Sequence, residues 1–110
     1  MSKWTLRVRE EFSAAHYIPG LEGLHGHNYL VEVHVEVREL DERGMGPDFR
    51  KIREDLRACL PDHRLLNEVL ERPSAEELAR FIYKKMKVKY PGLVRVIVWE
   101  RWAYAAEYEE

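Results

Sequence analysis

The residues of this chain that are best suited to chemistry are three histidines near its start. His25 and His27 flank Gly26, and residues two apart in an extended segment point to the same side, ~6.6 Å apart. His16 precedes them by a short segment. Three neutral imidazoles suit Zn²⁺ and leave its fourth tetrahedral position open for water or substrate. The pattern predicts a catalytic zinc site, although an isolated His-x-His pair is also typical of an exposed surface.

Two further groups could bind substrate or transfer protons. Asp62 and His63 follow Pro61, and a carboxylate beside an imidazole can act as a proton-transfer pair. Capping of a helix end is the alternative. Glu100 closes an alternating run of valines, where it could accept two N–H bonds from a planar heterocycle. It could equally lie exposed at the end of the strand.

Two other residues with reactive side chains are excluded from the predicted site. His34 lies between Glu32 and Glu36, on the strand face opposite the valines, and is predicted to be solvated or at an interface. Cys59 adjoins an apolar helical stripe and is predicted to be a buried apolar residue rather than a nucleophile.

The strands that must position the histidines are predicted from period-two alternation. One strand begins at Trp4 and carries His16 near its end, and a second opens with His27 and runs to Val37. Proline and glycines in the intervening segment, residues 17–24, predict a loop. Pairing of the two strands would bring His16 close to the other two histidines.

Two helices are predicted to follow. Asp48 suits the N-cap of the first, and Pro61 ends it. The apolar stripe of this helix is Phe49, Ile52, Leu56 and Leu60. Ser74 and Glu77 are predicted to form a capping box at the start of the second helix. The apolar stripe of that helix is Leu78, Phe81, Ile82 and Met86.

Two strands close the predicted fold. Val94, Val96 and Val98 are expected to face one way, and a further strand over 102–108 follows a tight connection or bulge near Arg101. The order strand, strand, helix, helix, strand, strand predicts an α+β architecture with an antiparallel sheet. The 110 residues are expected to form a single domain over 1–110.

Composition excludes several classes of function. A net charge of -2 gives no general field that would gather nucleic acid. Apolar runs are too short for a membrane helix of ~20 residues. The single cysteine cannot form an internal disulfide, and the N-terminus shows no apolar signal region. A cytoplasmic protein with no nucleic-acid or membrane partner is therefore predicted.

Taken in order along the chain, these motifs resemble the 6-pyruvoyltetrahydropterin synthase and 6-carboxytetrahydropterin synthase family. The pairing of one segment that ends in His16 with another that contains both other histidines is highly specific. The matching segments are Phe12-Ser13-Ala14-Ala15-His16, Leu24-His25-Gly26-His27-Asn28-Tyr29, Gly44-Met45, Asp48-Phe49, Asp62-His63, Leu66-Asn67, Ser74-Ala75-Glu76 and Glu100.

The resemblance implies a tunnelling fold, in which three subunits close their sheets into a barrel and two trimers stack into a homohexamer. It implies zinc on the three histidines, Glu100 as the anchor of the pterin ring and Ser74 as a hydroxyl residue near the pterin. It also implies that Asp62 and His63 serve the site of a neighbouring subunit. The implied substrate is 7,8-dihydroneopterin triphosphate.

One departure from the family pattern concerns its proton-transfer cysteine, whose position is occupied by Leu21. Glu22 instead begins an ExxHGH motif, which resembles the subgroup that uses glutamate and releases 6-hydroxymethyl-7,8-dihydropterin for folate synthesis. The ordinary pKa of glutamate is ~4.3, against ~8.5 for cysteine, so Glu22 would be a weak base unless burial raised its pKa. The alternatives are 6-pyruvoyltetrahydropterin or 6-carboxytetrahydropterin synthase activity, or a pterin-binding protein without catalysis.

Overall fold

A five-stranded sheet with two helices makes up the computed structural model, which describes residues 1–110. The strands are β1 (Trp4–Ile18), β2 (Glu22–Val37), β3 (Arg64–Leu65), β4 (Leu93–Arg101) and β5 (Tyr104–Tyr108), and the helices are α1 (Phe49–Cys59) and α2 (Ala75–Lys89). A single 3-10 turn, Leu66–Glu68, follows β3. The spatial order is β3-β1-β2-β4-β5, antiparallel except for the β3–β1 pair. The predicted α+β class is confirmed, and β3 is an addition to it.

The β1–β2 hairpin is longer than predicted, and the expected loop over 17–24 is wrong. β1 continues to Ile18 and β2 already begins at Glu22. The reversal needs few residues because Gly20 adopts φ +80°, a left-handed conformation that glycine reaches without steric cost, and the Leu21 N–H donates to the Ile18 carbonyl at 3.0 Å. Strand pairing therefore extends along the whole histidine region.

The core lies between the helices and one face of the sheet. Side chains alternate along β2, so every second residue faces the helices, and the apolar residues of the helices meet them there. The most deeply buried of these side chains are Val31, Val33, Ile52, Leu56, Leu78, Ile82 and Met86, all 0% exposed. This packing holds the long hairpin against α1 and α2.

The helix starts agree with the caps predicted from sequence, with two differences. Asp48 accepts from the Arg50 N–H, and Ser74 accepts from the Glu77 N–H. The Ser74 N–H donates to the Arg72 carbonyl instead of the Glu77 side chain, so only half of the predicted capping box forms. Phe49 is 53% exposed, which makes its place in the apolar stripe wrong, because the first residue of α1 lies before the turn that reaches the sheet.

Two irregularities in β4 shift which residues face the core. The pairing passes from Val35 with Leu93 to His34 with Arg95, which leaves Val94 as the extra residue of a bulge. Leu93 is fully buried instead, so the predicted facing of Val94 is wrong. A second irregularity lies between Trp99 and Arg101 and sets the position of Glu100. This second irregularity lies where the sequence predicts a tight connection or bulge near Arg101, whereas the bulge at Val94 was not predicted.

A buried carboxylate ties α1 to the end of α2. The Tyr90 hydroxyl donates to Asp55 Oδ2 at 2.6 Å, and Lys51 and Lys89 each lie 3.3 Å from Oδ1. The bond from Tyr90 is the main reason why the pKa of Asp55 is lowered, and it outweighs the opposing effect of burial.

Neither α1 nor α2 combines the length and apolarity needed to cross a lipid bilayer.

Replacing Tyr90 with phenylalanine is expected to lower the free energy of unfolding by about 1.5–3 kcal/mol, because a buried carboxylate loses a hydrogen bond. The lowered pKa of Asp55 contributes stability above its unfolded pKa of ~3.9 that is lost as the pH falls through the folded value. The difference in free energy of unfolding between wild type and Tyr90→Phe should therefore become smaller as the pH falls. Urea denaturation at pH 7 and near pH 3 measures both effects.

Tyr108→Phe is the matched control for this substitution. Its hydroxyl also donates to a carboxylate at 2.6 Å, that of Glu110, but the pair is exposed. We expect a change of under about 0.5 kcal/mol. Equal losses in the two variants would show that burial of Asp55 does not set the strength of its bond.

Candidate metal and active site

Strand pairing brings the three histidines together. His16 lies directly opposite His25, and His27 lies opposite Ala14, two residues further along β2. Side chains directly opposite each other in an antiparallel pair stand ~4.5–5.5 Å apart at Cβ. All three imidazoles project from the helix-facing side of the hairpin, near its turn, and His16 is only 1% exposed.

The ring nitrogens of the cluster form a compact set of potential ligands. One nitrogen from each of His16, His25 and His27 can be chosen so that all lie within 4.8 Å of one another. The ring centroids are 4.6–5.1 Å apart, with the rings inclined edge to face. This spacing is the one expected for three imidazoles that share one ion.

Backbone carbonyls determine which nitrogen of two histidines carries the proton. Nδ1 of His16 lies 2.7 Å from the Pro73 carbonyl oxygen, and Nδ1 of His25 lies 2.6 Å from that of Gly23. A carbonyl oxygen can only accept, so each Nδ1 must donate. In the neutral ring each Nε2 then carries an unprotonated lone pair, as a metal ligand requires, and the carbonyls hold both rings in place.

The Nε2 atoms of the three histidines receive no hydrogen bond from a donor. Nε2 of His16 lies 3.1 Å from Nε2 of His25, and with both Nδ1 atoms protonated neither can donate to the other. Nε2 of His27 is buried without a hydrogen-bond partner. Nitrogens bound to zinc at ~2.0–2.1 Å in a tetrahedron are ~3.3 Å apart, close to the observed spacing. Burial lowers the pKa of His27 against the opposing charge of Glu100, which favours the neutral form. The donor set fits a cation.

Two carboxylates flank the cluster. Glu100 Oε1 lies 3.6 Å from Nε2 of His27, and the Glu100 side chain is 16% exposed. Glu22 Oε2 lies 3.8 Å from Nε2 of His25, with its side chain 44% exposed. Both distances are too long for a direct hydrogen bond, so each carboxylate remains available to a ligand. Within the single chain Glu22 is therefore the more exposed of the two carboxylates.

The start of α2 closes one side of the cluster. Pro73, whose carbonyl holds His16, immediately precedes Ser74, whose Oγ accepts from the Glu77 N–H. A cleft of ≈ 220 Å³ lies between this helix start and Glu100, with Ala75, Tyr104 and Ala105 among its lining residues. Ser74 therefore lies at the edge of the space that Glu100 faces.

Asp62 and His63 form no hydrogen bond or ion pair with His16, His25 or His27 of their own chain. The Ser13 N–H donates to Asp62 Oδ1 at 2.9 Å, and the His63 N–H donates to the Ser13 carbonyl at 2.6 Å. His63 adopts φ 58°, and its Nε2 lies 3.7 Å from Asp62 Oδ1. The His63 side chain is 80% exposed and the Asp62 side chain is 51% exposed. Neither forms a hydrogen bond with the histidine cluster. His63 lines a cavity of ≈ 560 Å³ beside β1 that also includes His27.

Several contributors to the site were not predicted from the sequence. The carbonyls of Gly23 and Pro73 are backbone groups without a side-chain signature, although Pro73 adjoins the predicted N-cap. The Tyr29 ring packs against the His27 ring, with centroids 5.4 Å apart. The sequence predicts only that Tyr29 lies on the apolar face of its strand. His34 is 3% exposed and its Nε2 lies 2.5 Å from Glu32 Oε2. Of the two predicted environments, solvated or at an interface, the first is therefore wrong and the second stays a prediction.

Comparison with known proteins identifies the family. Residues 5–110 match the family model for 6-pyruvoyl tetrahydropterin synthase, and the chain belongs to that family. A relative from Pyrococcus furiosus, named dihydroneopterin monophosphate aldolase, is 34% identical over 108 residues, covering 92% of this chain and 93% of its own. A relative from Archaeoglobus fulgidus, provisionally named 6-carboxy-5,6,7,8-tetrahydropterin synthase, is 36% identical over 104 residues, covering 87% and 90%.

Solved structures share the fold. The 6-pyruvoyl tetrahydropterin synthase of Caenorhabditis elegans matches 100% of this chain and 97% of its own with a TM-score of 0.86 and 24% identity. The 6-pyruvoyltetrahydropterin synthase of Plasmodium vivax, solved as a variant in which a catalytic glutamate is replaced by alanine, matches 100% and 99% with a TM-score of 0.77 and 18% identity. The predicted family fold of the single chain is confirmed.

His16→Ala is expected to abolish stoichiometric zinc binding, because two imidazoles cannot complete the three-nitrogen set. His34→Ala is the matched control, since it removes an equally buried histidine outside the cluster. Zinc content after equilibration with metal and gel filtration, measured by mass spectrometry, should stay near one ion per chain in His34→Ala. Retention of a full equivalent by His16→Ala would contradict the assigned ligand set.

Proposed function

We propose that this protein is a zinc-dependent lyase that cleaves the side chain of a phosphorylated 7,8-dihydroneopterin and releases 6-hydroxymethyl-7,8-dihydropterin for folate synthesis. The observation that carries the proposal is the position of Glu22, whose carboxylate lies 3.8 Å from a histidine of the cluster, where a proton acceptor is needed. Zn²⁺ is the proposed cofactor, held by His16, His25 and His27. A bound zinc ion supplies Lewis acidity, which makes a nearby hydroxyl easier to deprotonate.

Two residues of the chain carry out the proton transfers, Glu22 as acceptor and His63 as donor. Glu22 accepts the proton of the second side-chain hydroxyl, and the bond between the first and second side-chain carbons breaks as a carbonyl forms on the second. The electron pair passes to the first carbon and the ring to which it is attached. His63, oriented by Asp62 and supplied by a neighbouring copy, donates the proton that completes the hydroxymethyl group. The other product is a phosphorylated two-carbon aldehyde.

Substrate orientation is assigned to Glu100 and Ser74. A carboxylate accepts two parallel bonds from the ring N–H and amino group of a pterin, which fixes the ring in its plane. The Glu100 side chain is largely buried and close to His27, so a ring anchored there extends its side chain towards the cluster. Ser74, at the helix start beside the Glu100 cleft, has a hydroxyl hydrogen free to donate.

A glutamate acting as a catalytic residue has support from the same fold. The Plasmodium vivax protein is described with a catalytic glutamate, and the Pyrococcus furiosus relative is named as an aldolase. The first supports the role of Glu22, and the second supports carbon–carbon cleavage. The second also favours a monophosphate as substrate, where sequence analysis expects 7,8-dihydroneopterin triphosphate.

The direct test incubates zinc-loaded protein with dihydroneopterin monophosphate and triphosphate and identifies the pterin products by chromatography and mass spectrometry. We expect 6-hydroxymethyl-7,8-dihydropterin from at least one of the two. The name of the Archaeoglobus fulgidus relative makes 6-carboxytetrahydropterin synthesis the second candidate function. A 6-carboxy or 6-pyruvoyl product would overturn the proposed lyase, and a protein that binds pterin without turnover would be a binding protein.

Glu22→Gln should lower kcat by about 10²–10⁴-fold, because removal of a general base costs that much, while zinc content stays unchanged. The amide keeps the size of the side chain and removes its basicity. Glu42→Gln is the control, since Glu42 is an exposed residue with no contact to the site. A Glu22→Gln variant with wild-type kcat would exclude Glu22 as the base.

We further propose that residues 1–110 act as one domain in a cytoplasmic homohexamer, a dimer of trimers, without nucleic-acid or membrane partners. Asp62 and His63 form no hydrogen bond or ion pair with the histidines of their own chain, which supports shared sites in which a second copy supplies the proposed donor. Mixing inactive Glu22→Gln with inactive His63→Ala subunits should restore part of the activity in mixed oligomers. Absence of any restoration after subunit exchange would argue for sites built within one chain.

A further inference from the structure

The hydroxyl of Tyr29 is a buried donor with nothing to bond to. Tyr29 is 1% exposed, and its oxygen has no hydrogen-bond partner. Two other buried side-chain atoms share this state, Nε2 of His27 and Nε of Arg95. The first is a proposed metal ligand, and Arg95 bonds instead through a second nitrogen, 3.2 Å from Glu109. A buried polar group left unbonded costs free energy and needs an explanation.

The Tyr29 ring is held so that the hydroxyl cannot swing to another partner. It stacks on Phe12 with ring centroids 5.0 Å apart and an interplanar angle of 14°. Its other contacts are edge-to-face with His27 at 5.4 Å and with His16 at 6.3 Å. The phenol is therefore packed directly against the histidine cluster, in one orientation.

Tyr29 also neighbours the proposed ring anchor. Leu30 pairs with Trp99 across the β2–β4 border, which places Tyr29 beside Glu100. A tyrosine hydroxyl is protonated at neutral pH and can donate. The site thus holds an acceptor, Glu100, with an unused donor next to it.

We propose that Tyr29 donates a hydrogen bond to the ring carbonyl oxygen of a bound pterin and selects for that oxygen. The inference rests on the proposed function, in which Glu100 accepts the amino group and the ring N–H. In a 2-amino-4-oxopyrimidine the carbonyl oxygen stands next to these two donors, so the ligand presents donor, donor, acceptor. Glu100 and Tyr29 present the complementary order of acceptor, acceptor, donor, with both acceptors on the Glu100 carboxylate. A ring with an amino group in place of the carbonyl brings a donor against the Tyr29 donor.

The test compares pterin with 2,4-diaminopteridine, in which an amino group replaces the carbonyl and the ring nitrogen beside it carries no hydrogen. Dissociation constants are measured by fluorescence titration of zinc-loaded wild type, Tyr29→Phe and Tyr90→Phe. Wild type is expected to favour pterin, and Tyr29→Phe to lose about tenfold in affinity for pterin but little for the diamino ring. The preference for pterin should therefore narrow about tenfold, while the part that Glu100 contributes through the ring N–H remains. Tyr90→Phe also removes a buried hydroxyl, one remote from the site, and should keep the wild-type preference.

The thermal midpoints of the ligand-free proteins provide a second readout. Tyr29→Phe removes an unbonded hydroxyl and should not lower the midpoint, whereas Tyr90→Phe should. A midpoint lowered equally in both variants would mean that the Tyr29 hydroxyl is already bonded within the chain, which overturns the inference. An unchanged ligand preference in Tyr29→Phe overturns it as well. Failure of wild type to bind pterin would instead refute the proposed function, and the inference with it.

Discussion

The candidate site depends on one constraint, the direct pairing of His16 with His25 across the β1–β2 hairpin. The register places two imidazoles side by side, and the carbonyls of Pro73 and Gly23 force both to turn an unprotonated nitrogen towards the other. Two lone pairs 3.1 Å apart repel unless a cation lies between them. The fold therefore holds the ligands ready before any metal binds, at a cost offset by the packed core.

The rest of the structure serves that pairing. The Pro73 carbonyl reaches His16 because Ser74 caps α2 immediately afterwards, so the helix start and the metal site are one unit. The bulge at Glu100 interrupts the regular pairing of β4 where a carboxylate is needed beside His27. Bulges commonly redirect side chains next to functional sites. Helix packing, capping and strand irregularity thus meet at the end of the sheet that carries the histidines.

Much of this arrangement could be predicted from the sequence, and the exceptions have physical causes. The three histidines, Glu22 and Glu100 were identified because their types and spacing form a specific motif. The length of the hairpin was missed because one glycine, Gly20, sufficed for the turn, while local composition predicted a longer loop. The bulge at Val94 and the backbone carbonyl contacts depend on tertiary pairing, which no local pattern records, whereas the irregularity near Arg101 is predicted from the break in alternation. Tyr29 was assigned to the core because burial alone does not reveal an unbonded hydroxyl.

The most direct measurement of the central claim is zinc K-edge X-ray absorption on the zinc-loaded protein. The account predicts three imidazole nitrogens at ~2.0–2.1 Å with a light atom completing a tetrahedron. The same spectrum should be recovered in His34→Ala, where the cluster is intact. A spectrum with fewer than three imidazoles, or with sulfur from Cys59 in the coordination sphere, would contradict the claim that His16, His25 and His27 hold the metal.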